Sequence, residues 1–244
     1  MNNKGLIGFG VILAIGLIIA VGSASKAFYN SKTLDNAISV AGSAQQIIDS
    51  DTVKWQASFS RTVGVNDLKT GSDQMKSDLT AVLAYIKQSG VDEKNVTINP
   101  VTVMPIYQQT KDFYGQGTTS GYTITQQIIV DSSEVDKVTK LAQDSTVLLN
   151  QGIIFTSQPV EYYYSKLSDL KLDLLAKATE NAKARAEKIA ASSGGKLDKI
   201  KSADMGVFQI TAVNSTDISD YGSYDTTARQ KSVMAVVRTS FLLK

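Results

Sequence analysis

With 244 residues, 43% of them hydrophobic and 20% charged, the chain can build one large or two small folded domains. A net charge of +2, from 25 basic and 23 acidic residues, supplies no basic stripe for nucleic acid. There is no His and no Cys, which excludes a Ser-His-Asp triad, a Cys nucleophile, an ordinary zinc site, disulfides and thiol redox switching. Carboxylates, Lys, Tyr and Ser/Thr remain, and the expectation is a protein that is not an enzyme and carries no cofactor.

Gly5 to Ala24 is an uncharged apolar run of 20 residues. As a helix rising ~1.5 Å per residue it reaches ~30 Å, the depth of a bilayer's hydrocarbon core. The run is longer than the apolar region of a secretory signal, although Gly22-Ser23-Ala24 offers small residues for cleavage. The expected organisation is a cytoplasmic tail over 1–4, a membrane-spanning anchor over 5–25, a linker over 26–35 and one extracytoplasmic domain over 36–244. The alternative is a secreted or periplasmic protein after cleavage. Gly16, Ala20 and Ala24 recur every fourth residue, a spacing that lets membrane helices approach closely.

Ala37–Ile48 reads as a first strand, followed by a hairpin turn at Asp49-Ser50-Asp51. Val53, Trp55, Ala57 and Phe59 alternate with Lys54, Gln56, Ser58 and Ser60, giving a strand with one dry and one wet face. Asn66 is the expected N-cap of a helix running to about Ser89 with Gly90 as its stop, its apolar stripe formed by Leu68, Met75, Leu79, Val82, Leu83 and Ile86. Pro100 and Pro105 mark Val96–Tyr107 as an edge or bulged strand pair. A polar loop leads to Ser120, then Tyr122, Ile124, Ile128 and Val130 form another strand.

Ser132 or Ser133 is the expected cap of a second helix bearing Val135, Val138, Leu141, Ala142 and Leu148. A strand near Ile153–Tyr164 precedes a third helix, from a cap at Ser168 to a stop at Gly194, with Ala178, Ala182, Ala186 and Ala190 in one ridge. Such a ridge lets a helix lie close against a sheet. Ile200–Val213 and Lys231–Leu243 read as closing strands. The order is ββαββαβαββ, an α+β fold of mostly antiparallel sheet packed by three helices, in which helices two and three with the strand between them are candidates for a βαβα unit.

Val40-Ala41-Gly42, the strand around Trp55, Gly90-Val91, Val96-Thr97-Ile98-Asn99-Pro100, Pro105-Ile106-Tyr107 and Gly121-Tyr122 follow one another in a fixed order. Leu167-Ser168-Asp169-Leu170 leads into the Ala-rich segment Ala176–Gly195, and Phe241-Leu242-Leu243 closes the pattern. In these features residues 35–244 resemble the SIMPL-domain family of bacterial cell-envelope proteins, in its membrane-anchored branch. The resemblance implies an envelope protein, with some members linked to stress tolerance and some assembling into large rings or cages of identical subunits, and the anchor puts the domain on the extracytoplasmic side of the inner membrane. The resemblance brings no catalytic motif, and the loop Asn214–Gln230 matches nothing in it.

Asp217, Asp220 and Asp225 are possible oxygen ligands for a hard cation but lack the spacing of a calcium loop, and a solvated loop is the preferred reading. Asp49 and Asp51 are read as turn residues rather than a working carboxylate pair. Tyr162, Tyr163, Tyr164, Tyr221 and Tyr224 are a possible interface, with Tyr107 and Tyr114 beside them, because Tyr joins an apolar body to a polar tip. The expected partners are other copies of the chain and membrane lipid through residues 5–25, with no nucleic acid. The leading expectation is an anchored homo-oligomer that forms a scaffold, cage or pore-like body. The alternatives are a monomeric module binding a peptide or small ligand, and an envelope hydrolase working without His or Cys.

Overall fold

The computed structural model describes residues 3–33, 36–108 and 117–244. Helix α1 (Asn3–Thr33) runs unbroken through most of the segment expected as a linker. Its stretch Gly8–Phe28 has a mean hydropathy of 2.2 and none of it is buried, so it is long and apolar enough to cross a membrane.

The chain divides into two compact units. One comprises Met1–Gln45, Lys171–Phe208 and Met234–Lys244, the other Gln46–Leu170 and Gln209–Val233. In chain order the elements are β1 (Ala37–Asp49), β2 (Thr52–Gly64), α2 (Leu68–Gln88), β3 (Val96–Ile98), β4 (Thr102–Gln108), β5 (Thr118–Ser132), α3 (Val135–Gln143) and α4 (Val147–Asn150). Then follow β6 (Ile154–Ser157), β7 (Glu161–Tyr163), α5 (Leu167–Ser192), β8 (Leu197–Met205), β9 (Gln209–Ala212), β10 (Ser223–Tyr224) and β11 (Gln230–Leu243). The fold is α+β with two sheets.

The six-stranded sheet has the order β3-β5-β2-β6, with β4 also on β5 and β7 also on β2. The long β2–β5 ladder runs from Val53↔Ser132 to Gly64↔Gly121 and is antiparallel, as are its flanking pairs. Because β5 and β6 are both antiparallel to β2 and lie on either side of it, α3 and α4 connect two parallel strands split by β2. That is the βαβ part of the expected βαβα unit. The alternation in β2 has its expected result: Val53, Trp55, Ala57 and Phe59 are buried while Lys54, Gln56, Ser58 and Ser60 stay half-exposed. The buried set joins Met75, Val82 and Ile86 of α2 and Val138 and Leu141 of α3 in one core.

The five-stranded sheet has the order β1-β11-β9-β10, with β8 also on β11. The pairing of β9 with β10 is parallel. β1 and β2 belong to different sheets, so Asp49-Ser50-Asp51 is not the expected hairpin turn. Instead Ser50 N donates to Arg229 O and Asp51 N to Tyr163 O, and the bend passes the chain from one sheet to the other. Along α5 the ridge Ala178, Ala182, Ala186 and Ala190 is fully buried, and Gly42 of β1 sits against it. Arg185 Nη1 donates to Ala41 O at 2.9 Å, and Ser43 N donates to Asn181 Oδ1 at 3.3 Å. Side chains of α5 therefore satisfy backbone groups on the outer strand of that sheet.

Some boundaries differ from expectation for local reasons. Asp67, not Asn66, stands before α2, and the helix starts from a backbone turn in which Asp67 N donates to Gly64 O and Gly71 N to Asp67 O. The hydroxyl of Ser132 accepts from Glu134 N just ahead of α3. Ser168 lies inside the first turn of α5 rather than before it. Gly90 and Gly194 take left-handed backbone, φ 79° and 78°, as the stops of α2 and α5. Pro159 lies in the break between β6 and β7, where a single strand was expected.

Candidate functional site

The small residues Gly16, Ala20 and Ala24 all lie on the exposed surface of α1, and a Cβ added at Gly16 would meet nothing within 4 Å. The five tyrosines separate. Tyr162, on the strand paired beside β2, packs on the core, with its hydroxyl 3.1 Å from Thr139 Oγ1. Tyr163 and Tyr224 pair, their ring centroids 6.2 Å apart and tilted by 37°. Burial, aided by its bond to the Glu161 carboxylate, pushes the Tyr163 hydroxyl up to about 12. Tyr164 is half-buried just past β7, and Tyr221 is 96% exposed. Tyr114 lies outside the described residues.

Loop Asn214–Gln230 is held by three polar anchors. Buried Gln209 donates from Nε2 to Ser219 O at 2.6 Å and accepts from Ser223 Oγ at 2.9 Å. The carboxylate of Asp225 accepts from Thr227 N, Thr227 Oγ1 and Ala228 N. Burial alone raises that carboxyl group, but the bonds from Thr227 and Ala228 and the nearby Lys231 charge leave it below the usual range. Lys231 is 1% exposed and donates to the carbonyls of Asp225 and Ala228, and burial pulls its ammonium below the ordinary lysine value. Asp225 thus works as a turn former. Among the described residues no group of three or more His, Cys, Asp or Glu is placed to hold a metal ion.

The Asp49 and Asp51 carboxylates have separate partners. Asp49 Oδ1 accepts from Gln230 Nε2 at 3.3 Å. Asp51 accepts from Ser165 N at 2.7 Å, Ser165 Oγ at 2.6 Å and Thr52 Oγ1 at 3.1 Å. Burial would raise the Asp51 carboxyl, but the bonds from Ser165 and Thr52 hold it below its ordinary value.

The wet face of the six-stranded sheet carries an arrangement that sequence reading missed. Asn99 Nδ2 donates to Gln127 Oε1 at 2.8 Å, and Gln127 Nε2 donates to Gln56 Oε1 at 3.2 Å. Asn99 is fixed as well by its own N–H on Gln127 O and by Gln126 Nε2 on its carbonyl. One cleft of about 420 Å³ lies on this face, lined by Gln56, Gln127, Gln158, Val160, Glu161 and Thr226 among others. A second, of about 600 Å³, is lined by Ser58, Asn99, Thr102, Met104, Thr125 and Gln127 among others. Gln127 belongs to both. The signal in the sequence was the polar alternation of β2 (Lys54, Gln56, Ser58 and Ser60), with Thr125 and Gln127 on β5.

A family described as SIMPL, protein of unknown function (DUF541), matches residues 38–241. No curated protein matches the chain.

Proposed function

Because the chain belongs to the SIMPL family of proteins of unknown function, we propose that it is a non-enzymatic envelope protein, anchored in a bacterial cell membrane by α1, whose copies assemble into a large homo-oligomer outside the cytoplasm. A part in envelope stress tolerance belongs to the same reading. The observation that carries self-assembly is the apolar margin of the six-stranded sheet, where Ile98, Val101, Val103 and Tyr107 are between 43% and 64% exposed. Exposed apolar side chains gathered along one sheet margin mark a contact surface. Pro105 has no N–H to offer a further strand, so the reading is contact through side chains, with identical subunits closing symmetrically. The exposed small-residue face of α1 supports the same reading within the membrane.

The test is the native mass of the full chain, gently extracted in detergent, with its N-terminus checked on the same sample. A single large particle is expected for the natural sequence, and Ile98→Asp with Val103→Asp should reduce it to smaller species. A monomeric natural protein would overturn self-assembly. A second reading, a binding module, is favoured by the paired clefts on the wet face of the same sheet.

A further inference from the structure

The geometry points to the wet face of the six-stranded sheet as a binding groove for a linear, uncharged glycan strand bearing hydroxyl and acetamido groups. This inference rests on the binding-module reading and is independent of self-assembly.

What this face can bind depends on the groups it offers. β2 is paired on both sides, so its backbone donors and acceptors are engaged in ladders. An extended peptide that binds by strand addition needs free strand backbone and finds none at the centre of the groove. What projects there is a set of side chains that are almost all uncharged: amides at Gln56, Asn99, Gln127 and Gln158, and hydroxyls at Ser58, Thr102, Thr125 and Thr226. Each amide offers donors and acceptors together, as each hydroxyl does. That is the complement of a sugar, whose hydroxyls both give and accept and whose acetamido group presents one N–H and one carbonyl.

The groove is also pre-organised. The bonds from Asn99 to Gln127 and from Gln127 to Gln56 orient three amides in one direction, and the chain ends at the Gln56 amide beside the first cleft. Gln158 N donates to Gln56 O at 2.9 Å, which fixes one wall. Tyr162 N donates to Thr226 O at 2.7 Å, which docks the loop that forms another. The Asp225 turn and the buried Lys231 hold that loop segment from behind. Glu161, whose carboxylate accepts from the Tyr163 hydroxyl, supplies an acceptor for sugar hydroxyls at the same end. Walls fixed before binding reduce the ordering cost on association. Two clefts that share Gln127 suit several consecutive sugar units better than one compact molecule.

The experiment titrates the full chain, in detergent, with the β-1,4-linked hexamer of N-acetylglucosamine by calorimetry. A capped, uncharged hexapeptide serves as the competing probe. The natural protein should bind the hexamer, and Gln127→Leu, which cuts the amide chain at its centre, should weaken binding at least about tenfold. Gln56→Leu, which removes only the terminal amide, should weaken it too and guards against a folding defect in the first variant. Far-UV circular dichroism checks that both variants fold. Absence of hexamer binding at millimolar concentration overturns the proposal. Undiminished binding by the folded variants overturns it as well, as does binding of the peptide in place of the glycan.

Discussion

In the unit built around α5, helix and strand meet through main chain. A Cβ added at Gly42 would lie 2.2 Å from Ala178 O and 2.4 Å from Ala182 N, so the contact exists only because no side chain stands between. The unit around β2 does the reverse, filling the space between sheet and helices with Trp55, Phe59, Met75 and Ile86, all at most 2% exposed. Both arrangements exclude water. The first gains from close approach of backbones and tolerates no enlargement, whereas the second gains from apolar area and suffers when area is removed.

That contrast can be broken most forcefully from the large-residue side. Trp55→Ala should cost about 4 kcal/mol in thermal or chemical unfolding, because it removes the indole, its contact with Phe155 and its bond to Ser157. Gly42→Ala should cost about 3 kcal/mol, since backbone rather than a mobile side chain blocks the new methyl group. If Gly42→Ala is neutral, the close approach of β1 and α5 does not exist in solution.

The smallest expected effect belongs to neither packing mode. Asp51→Asn should cost about 1 kcal/mol at neutral pH by weakening bonds to an ionised acceptor. The folded-state carboxyl titrates below its ordinary value of 3.8. Its stabilisation is therefore complete above the unfolded value and is lost as pH falls through the folded one. Unfolding midpoints of natural and variant protein should converge as pH drops from about 5 to about 2.

The two regions also differ in how much of them the sequence reveals. The Ala178–Ala190 ridge is a four-residue repeat within one helix, and the β2 alternation is a two-residue repeat within one strand, so local periodicity exposes both. The partner of the ridge, Gly42, is far away in the chain, and nothing around it signals a missing side chain. The amide chain joins residues 56, 99 and 127 from three separate segments, each of which reads alone as a solvated strand position. β10 has two residues and exists only through its pairing with β9. Of the expected tyrosine cluster, the pair Tyr163–Tyr224 formed because loop 214–230 returns beside β7. Tyr162 went to the core because neighbouring residues on a strand face opposite ways.

The burial of Trp55 has one more consequence. It is the single tryptophan of the chain, is fully enclosed and has its indole N–H on Ser157 Oγ at 2.9 Å. Emission excited through the indole therefore comes from one apolar address within Gln46–Leu170 and Gln209–Val233. The molecule carries a built-in reporter of the apolar core of this unit, whereas the unit around α5 contains no tryptophan.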